Sequence, residues 1–238
     1  MSEDPKGNTD FGKQIADRWR ELQQTVTSIA AQAGRSGESV TILGVTKYVD
    51  AAMARLLAEA GCMDLAENRP QMLWEKAEAL EDLPIRWHLI GHLQRNKVRR
   101  TLPLLAWIHS VDSIRLIDAL GEESTQQGIS LNLLIEVNAT GEPAKTGATP
   151  EEIPSLLEAA LRWNSLRVGG LMGMAPLEGG STAASKTFAA IRMLRDAMSQ
   201  RFGSDLPMPH LSMGMSGDFR EAIQEGATMI RIGSALFP

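Results

Sequence analysis

Lys47 stands at the end of an apolar, β-branched run, Thr41-Ile-Leu-Gly-Val45, where polar residues take over. Such a run reads as a buried strand that carries the amine to its C-terminal rim. A lysine whose charged form is disfavoured by burial can form a Schiff base with an aldehyde. The plainer reading packs its stem on apolar neighbours and leaves its head in water. Two later segments offer complementary chemistry. Leu211-Ser-Met-Gly-Met-Ser-Gly217 and Arg231-Ile-Gly-Ser234 each place small residues after an apolar run, and the first opens into a helical pattern. Their backbone N–H groups suit an anion, a phosphate above all. The plainer reading makes their glycines tight turns only. A rim lysine facing two such loops points to a phosphorylated aldehyde, and pyridoxal 5'-phosphate (PLP) meets that description. Arg231 would lie near the pyridine ring and disfavour protonation of its nitrogen, unless it serves only in a structural ion pair. Asn68 can offer the ring hydroxyl a hydrogen bond without adding charge.

These groups need a scaffold that brings distant segments together. Helical spacing of Phe11, Ile15, Leu22, Val26, Ile29 and Ala33 predicts an amphipathic helix that ends near Gly34. Predicted strands follow at about 41–47, 63–66, 86–90, 107–111, 131–137, 166–171, 210–213 and 228–232. A helical segment follows each of the first seven. Asp50 and Asp112 are the expected caps of two of these helices, Pro70 opens a third, and Thr149-Pro-Glu-Glu152 reads as a capping box. Alternating strands and helices imply parallel pairing, and eight units suffice to close a (β/α)8 barrel of the TIM type. The N-terminal helix would cover the gap left after the eighth strand. A doubly wound open sheet is the rival, but no Gly-x-Gly-x-x-Gly follows the first strand. The expected organisation is a disordered tail over 1–10 and a single barrel domain over 11–238. Functional groups should then gather at the C-terminal ends of the strands. Lys47, Tyr48, Glu67, Asn68, His92, Asn138, Gly173 and Met174 fall there, as do the two late loops.

The chain has 238 residues, 43% hydrophobic and 22% charged, with a formal net charge of −5. That composition suits a soluble globular protein and offers no general basic field for nucleic acid. A single cysteine, Cys62, excludes an internal disulfide and a cysteine-built metal cluster. No apolar run approaches the roughly 20 residues needed to span a bilayer, and the polar opening is unlike a signal peptide, so a cytoplasmic protein is expected. His88, His109 and His210 read as hydrogen-bonded core residues, and no metal site is expected. The five tryptophans read as packing residues.

Several segments carry a family resemblance: Val45-Thr-Lys47, Ala66-Glu-Asn68, Trp87-His-Leu-Ile-Gly-His-Leu-Gln-Arg-Asn-Lys97, Gly170-Leu-Met172, Ser212-Met-Gly-Met-Ser216 and Arg231-Ile-Gly-Ser-Ala-Leu-Phe237. In order, from about Phe11 to the C-terminus, they resemble the signature segments of the pyridoxal phosphate homeostasis proteins, the YggS/PROSC family. The resemblance implies a barrel similar to the N-terminal domain of alanine racemase, of the PLP fold type III kind, with the cofactor held as an internal aldimine. Lys47 would be the Schiff-base lysine. Ser212, Gly214, Gly233 and Ser234 would surround the phosphate, Arg231 would face the ring nitrogen and Asn68 would lie near the ring. Ala66 departs from the usual glycine, Arg69 from an aromatic, Ser234 from threonine and Tyr48 from a small residue.

The resemblance also implies a non-catalytic role in vitamin B6 and amino-acid homeostasis, in which a monomer stores PLP or delivers it to PLP-dependent apoenzymes. The residues agree. Racemisation needs a base on each face of the substrate carbon, and Lys47 serves one. Tyr48 is the only tyrosine. In extended chain it would point away from Lys47. The alternatives are a PLP-dependent racemase or lyase that uses Lys47 with His92 or a second subunit's residue, and a nucleic-acid or protein interaction module. The module would use Arg95, Lys97, Arg99 and Arg100, a segment that otherwise reads as a solvated helix face.

Overall fold

The computed structural model describes residues 5–142 and 146–238. Eight parallel strands close into one barrel in sequential order. They are β1 (Thr41–Val45), β2 (Asp64–Glu67), β3 (Arg86–Leu89), β4 (Leu105–Val111), β5 (Leu131–Glu136), β6 (Leu166–Met172), β7 (His210–Ser212) and β8 (Met229–Ile232). The helices are α1 (Pro5–Gln32), α2 (Ala51–Glu59), α3 (Pro70–Ala79), α4 (Val98–Thr101), α5 (Ile114–Gln127), α6 (Ile153–Leu161), α7 (Gly180–Phe202) and α8 (Phe219–Gln224). The (β/α)8 architecture expected from the alternation is the one observed. α1 packs between α2 and α8, where a helix after β8 would otherwise lie.

Side-chain alternation on each strand divides the core in two. Leu43, Val45, Ala66, Leu134, Met172 and Met229 form a buried cluster inside the barrel, with Ile90 and Trp107 against it. Ile42, Leu65, Leu89, Ile108, Leu133, Ile135, Leu171 and Ile230 belong to the second core, shared with the helices. Ile15, Trp19, Leu22, Val26 and Ile29 of α1 join that outer core. Among the described residues no helix is long and apolar enough to cross a membrane.

Several boundaries differ from expectation. α1 begins at Pro5, ahead of the Phe11 start that its apolar spacing marked, and residues 1–4 of the expected tail lie outside the described residues. Asp50 caps α2 through a 2.9 Å hydrogen bond from the Met53 N–H. Pro70 opens α3 as expected. Asp112 caps nothing: Ser113 is the N-cap of α5, and its side chain makes no capping bond. At 149–152 the Thr149 N–H donates to Glu152 Oε2 at 2.8 Å, yet the turn there delays α6 to Ile153. The capping-box residues thus order the approach to the helix and not its first turn.

Candidate cofactor site

β1 stops at Val45, and Thr46 starts a turn closed by a 3.0 Å bond from the Val49 N–H to the Thr46 carbonyl. Lys47 and Tyr48 are therefore on a turn and not in extended chain. The alternation that would have sent their side chains opposite ways does not apply. Lys47 Nζ lies 4.9 Å from the centroid of the Tyr48 ring, and that ring is 89% exposed. Lys47 is itself exposed, so its amine stands open at the barrel mouth and is not desolvated.

Strand register places its neighbours. Val45 sits opposite Ala66 and the Thr46 N–H donates to the Ala66 carbonyl at 3.0 Å, so Lys47 and Asn68 follow the adjacent ends of β1 and β2. Gly44 sits opposite Ile232 on the other side, which brings Gly233 beside Val45. A Cβ on Gly233 would come within 3.3 Å of the Val45 carbonyl oxygen. The expected site residues on β1, β2 and β8 are thus adjacent at one arc of the mouth. Asn68 and Gly233 are half-buried, and Ser234 is exposed.

The loop after β7 completes that arc. Gly214 has φ +94°, a conformation side chains rarely adopt, and a Cβ there would meet the Ala222 Cβ of α8 at 2.5 Å. The Met215 N–H donates to the Asp218 carboxylate, which ties the loop down just before α8. Burial raises the Asp218 carboxyl above its ordinary value, against the opposing Met215 bond. Ser216 Oγ lies 3.4 Å from the Gly233 N–H and accepts from it, joining the two late loops. A cleft of about 290 Å³ continues from this loop, lined by Ala175, Pro176, Leu177, Met215 and Asp218 among others. A larger shallow groove of about 540 Å³ beside Arg220 is formed by mostly polar residues of α1 and shares no lining residue with the mouth.

Arg231 is buried in the barrel beneath these loops. Its Nη1 donates to the Ser212 carbonyl at 2.7 Å and to Ser212 Oγ at 2.9 Å, and its Nη2 donates to the Gly173 carbonyl at 3.0 Å. Burial pulls its pKa down to about 10, against the charges of Asp218 and Glu136. It remains cationic at neutral pH. Ser212 is fully buried, with its hydroxyl committed to Arg231 and to His109, which lies 2.9 Å away. It therefore sits below the mouth, whereas Ser216 and Gly233 stand at it.

Other rim residues settle differently. Glu67 is fully buried, and its carboxylate meets Lys76 of α3 and accepts a 2.6 Å bond from the Thr46 hydroxyl. His92 is exposed. Asn138 folds over its own loop, donating to the Glu142 carbonyl at 2.8 Å. Glu136, at the end of β5, accepts a 2.6 Å bond from Thr146, and burial holds its carboxyl above the ordinary value. Of the basic segment, Arg100 stacks over the Trp74 ring at 4.1 Å and Arg99 lies 3.8 Å from Glu123. Both are turned to their own chain. No group of three His, Cys, Asp or Glu side chains among the described residues is arranged to hold a metal.

Sequence reasoning left Ser216, Asp218, Glu136 and Lys76 off the site. Ser216 and Asp218 lie in or next to a motif already singled out, and the spacing of Asp218 just before α8 was the available signal. Glu136 ends the apolar strand β5 with a charge, and that was a signal too.

The family described as alanine racemase, N-terminal domain, matches residues 14–238. The pyridoxal phosphate homeostasis protein of Aquifex aeolicus is 37% identical over 221 residues, 93% of this chain and 96% of that protein. Its counterpart in Pseudomonas aeruginosa is 38% identical over 223 residues, 94% of each chain. PipY of Synechococcus elongatus, solved with PLP bound, superposes with a TM-score of 0.84 at 34% identity, covering 94% of this chain and all of that one. With its barrel, its lysine turn and its two late loops in one arc, this chain belongs to the pyridoxal phosphate homeostasis protein family, built on the alanine racemase N-terminal domain.

Proposed function

We propose that this chain binds pyridoxal 5'-phosphate through Lys47 and serves vitamin B6 and amino-acid homeostasis by storing or delivering it, without turning over a substrate. The observation that carries the reading is the pairing of β1 with β2 on one side and β8 on the other, whose neighbouring C-terminal ends are followed by Lys47, Asn68 and Gly233. The cofactor supplies an aldehyde for an amine and a phosphate for backbone donors. In this reading Lys47 holds the aldehyde end, and Gly214, Gly233 and Ser234 hold the phosphate, with Ser216 beside them. Asn68 contacts the ring hydroxyl, and Arg231, steadied by Ser212, faces the ring nitrogen. Gly214, held by its φ of +94° and its close packing on Ala222 of α8, fixes the course of the loop whose backbone N–H groups would bind the phosphate. The names of the relatives and the PLP in PipY support the same assignment.

A carrier role fits the mouth. Tyr48 lies beside the Lys47 amine, on the same turn, and does not face it across a substrate position. The recipients would be PLP-dependent apoenzymes, met by a monomer in the cytoplasm. The test is the absorption spectrum after incubation with PLP and gel filtration, before and after borohydride. A yellow band that borohydride bleaches, with the reduced adduct mapped to Lys47 and absent in Lys47→Ala, is expected. A colourless protein, or an adduct unchanged in Lys47→Ala, overturns the reading. Exchange of solvent deuterium into amino acids by the loaded protein would replace the carrier with a racemase or lyase.

A further inference from the structure

A line of polar side chains from β2, β3, β4, β7 and β8 crosses the barrel interior from its N-terminal face to its mouth. At one end Asp64 of β2 takes Arg86 on both oxygens, with Arg86 Nε 2.7 Å from Oδ1. His88 Nε2 of β3 lies 3.1 Å from the same Oδ1. His88 Nδ1 lies 3.0 Å from Nε2 of His109 on β4. His109 Nδ1 lies 2.9 Å from Ser212 Oγ on β7, and that oxygen accepts from Arg231 of β8.

The proton positions follow from one end. Burial works to raise the Asp64 carboxyl, yet the bonds from His88 and Arg86 hold it below its ordinary value. It is ionised at neutral pH and only accepts, so His88 Nε2 must carry a proton. Burial lowers the pKa of His88 and takes that of His109 well down, so both rings are neutral with one N–H each. His88 Nδ1 must then accept from His109 Nε2–H. That leaves His109 Nδ1 to accept the Ser212 hydroxyl proton. From Arg231 to Asp64 every donor points the same way, and Arg86 donates to Asp64 from the other side.

We propose that Asp64, His88 and His109 are positioning residues for Arg231: their one-way hydrogen-bond chain locks the Ser212 hydroxyl so that a lone pair, and never its proton, faces the guanidinium. Without His109 the hydroxyl can rotate its proton toward Nη1, where two donors would oppose each other. Three of the five guanidinium N–H groups are spent on Ser212 and Gly173. The aim of the remaining two depends on those anchors, and hydrogen bonds weaken steeply with misalignment. The inference rests on the reading of Arg231 as the group that faces the cofactor ring.

The test has two arms. Long-range proton–nitrogen correlation spectra of the cofactor-free protein at pH 7 should show His88 and His109 neutral and protonated on Nε2. Finding either ring charged, or either protonated on Nδ1, overturns the chain. In the second arm PLP is titrated into wild type, His109→Leu and His109→Asn. Asparagine sets an amide oxygen near the place of Nδ1 and can still accept from Ser212. His109→Leu should shift the cofactor absorption band and weaken PLP binding roughly tenfold, and His109→Asn should recover both. An unchanged band and affinity in His109→Leu overturn the positioning role, as does a loss that His109→Asn shares in full. If His109→Leu fails to fold, His88→Gln takes its place with the same expected shift, and an unchanged band there overturns the role. Wild type that takes up no PLP sinks the cofactor reading instead, a result separable from the others.

Discussion

Thr46, the residue before Lys47, is held from three sides. Its N–H donates to the Ala66 carbonyl at 3.0 Å, its hydroxyl to Glu67 at 2.6 Å, and its carbonyl accepts from Lys76 at 2.7 Å. Lys76 and Glu67 are 2% and 0% exposed, so the clamp behind the amine is a buried ion pair. Such a pair adds little net stability, but removing one partner leaves a buried charge and costs about 3–5 kcal/mol. Lys76→Met should lose stability on that scale in guanidinium unfolding, and Lys76→Met with Glu67→Gln should recover part of it. If the double variant is no more stable than the single one, the pair is not the reason. Lys47 and Asn68 were readable as rim positions because each follows the end of an apolar strand, and Arg231 as a strand residue because it lies within the apolar run of β8. Lys76 was hidden by its type, since a lysine on a helix reads as solvated. Its spacing with Leu73 and Ala77, on the buried stripe, was the overlooked sign.

At the level of elements, packing of helix against strand sets the cost of small changes. Gly121 of α5 lies against the Trp163 indole at the end of α6, and a Cβ there would overlap the ring. Trp163 is also tied to Asp118 of α5 by a 3.2 Å bond from Nε1. Gly121→Ala must push the indole out and strain that bond. The expected loss is about 1–3 kcal/mol, even though alanine favours helix. A lower urea midpoint at an unchanged slope would show it. A variant as stable as wild type would mean that the indole yields freely. The order and type of the elements were readable because apolar runs of strand length alternate with helical stripes throughout. Their ends were not. Residues 5–10 carry no apolar stripe, so periodicity could not reveal that α1 includes them. The Asp112 cap failed because β4 ends at Val111 as expected but α5 begins only at Ile114, leaving Ser113 at the cap position.

For the molecule as a whole, the buried histidines make stability depend on pH. In the unfolded chain His88 and His109 take up protons below about pH 6.5, whereas burial keeps them neutral in the fold. The unfolded state therefore binds more protons in that range, and stability falls as pH drops below it. The slope is at most about 1.4 kcal/mol per pH unit for each histidine. Glu136 and Asp218, raised by burial, act in the opposite sense at lower pH, as their contribution fades when pH rises through their folded values. Unfolding free energies at pH 7 and 5.5 test the histidines, His210 included, since burial lowers it too; the lower value is expected at 5.5. A flat or rising profile over that interval would mean the rings are charged in the fold. The sequence placed these histidines in the core but could not show that they touch, because that depends on the register of β3 against β4, which apolar periodicity does not give.

Arg231 also holds the barrel wall together. β7 has three residues and meets β8 at the single register pair Ser212–Met229. At the mouth end of that narrow seam the Arg231 N–H donates to the Gly214 carbonyl at 2.9 Å, and its guanidinium reaches Ser212 on β7 and Gly173 beyond β6. One side chain thus rivets three neighbouring staves. A ligand that grips the guanidinium also tightens the rivet, and a seam that opens slackens the grip by the same free energy, since such coupling is reciprocal. Breathing of the wall and residence of the guest are two readings of one equilibrium.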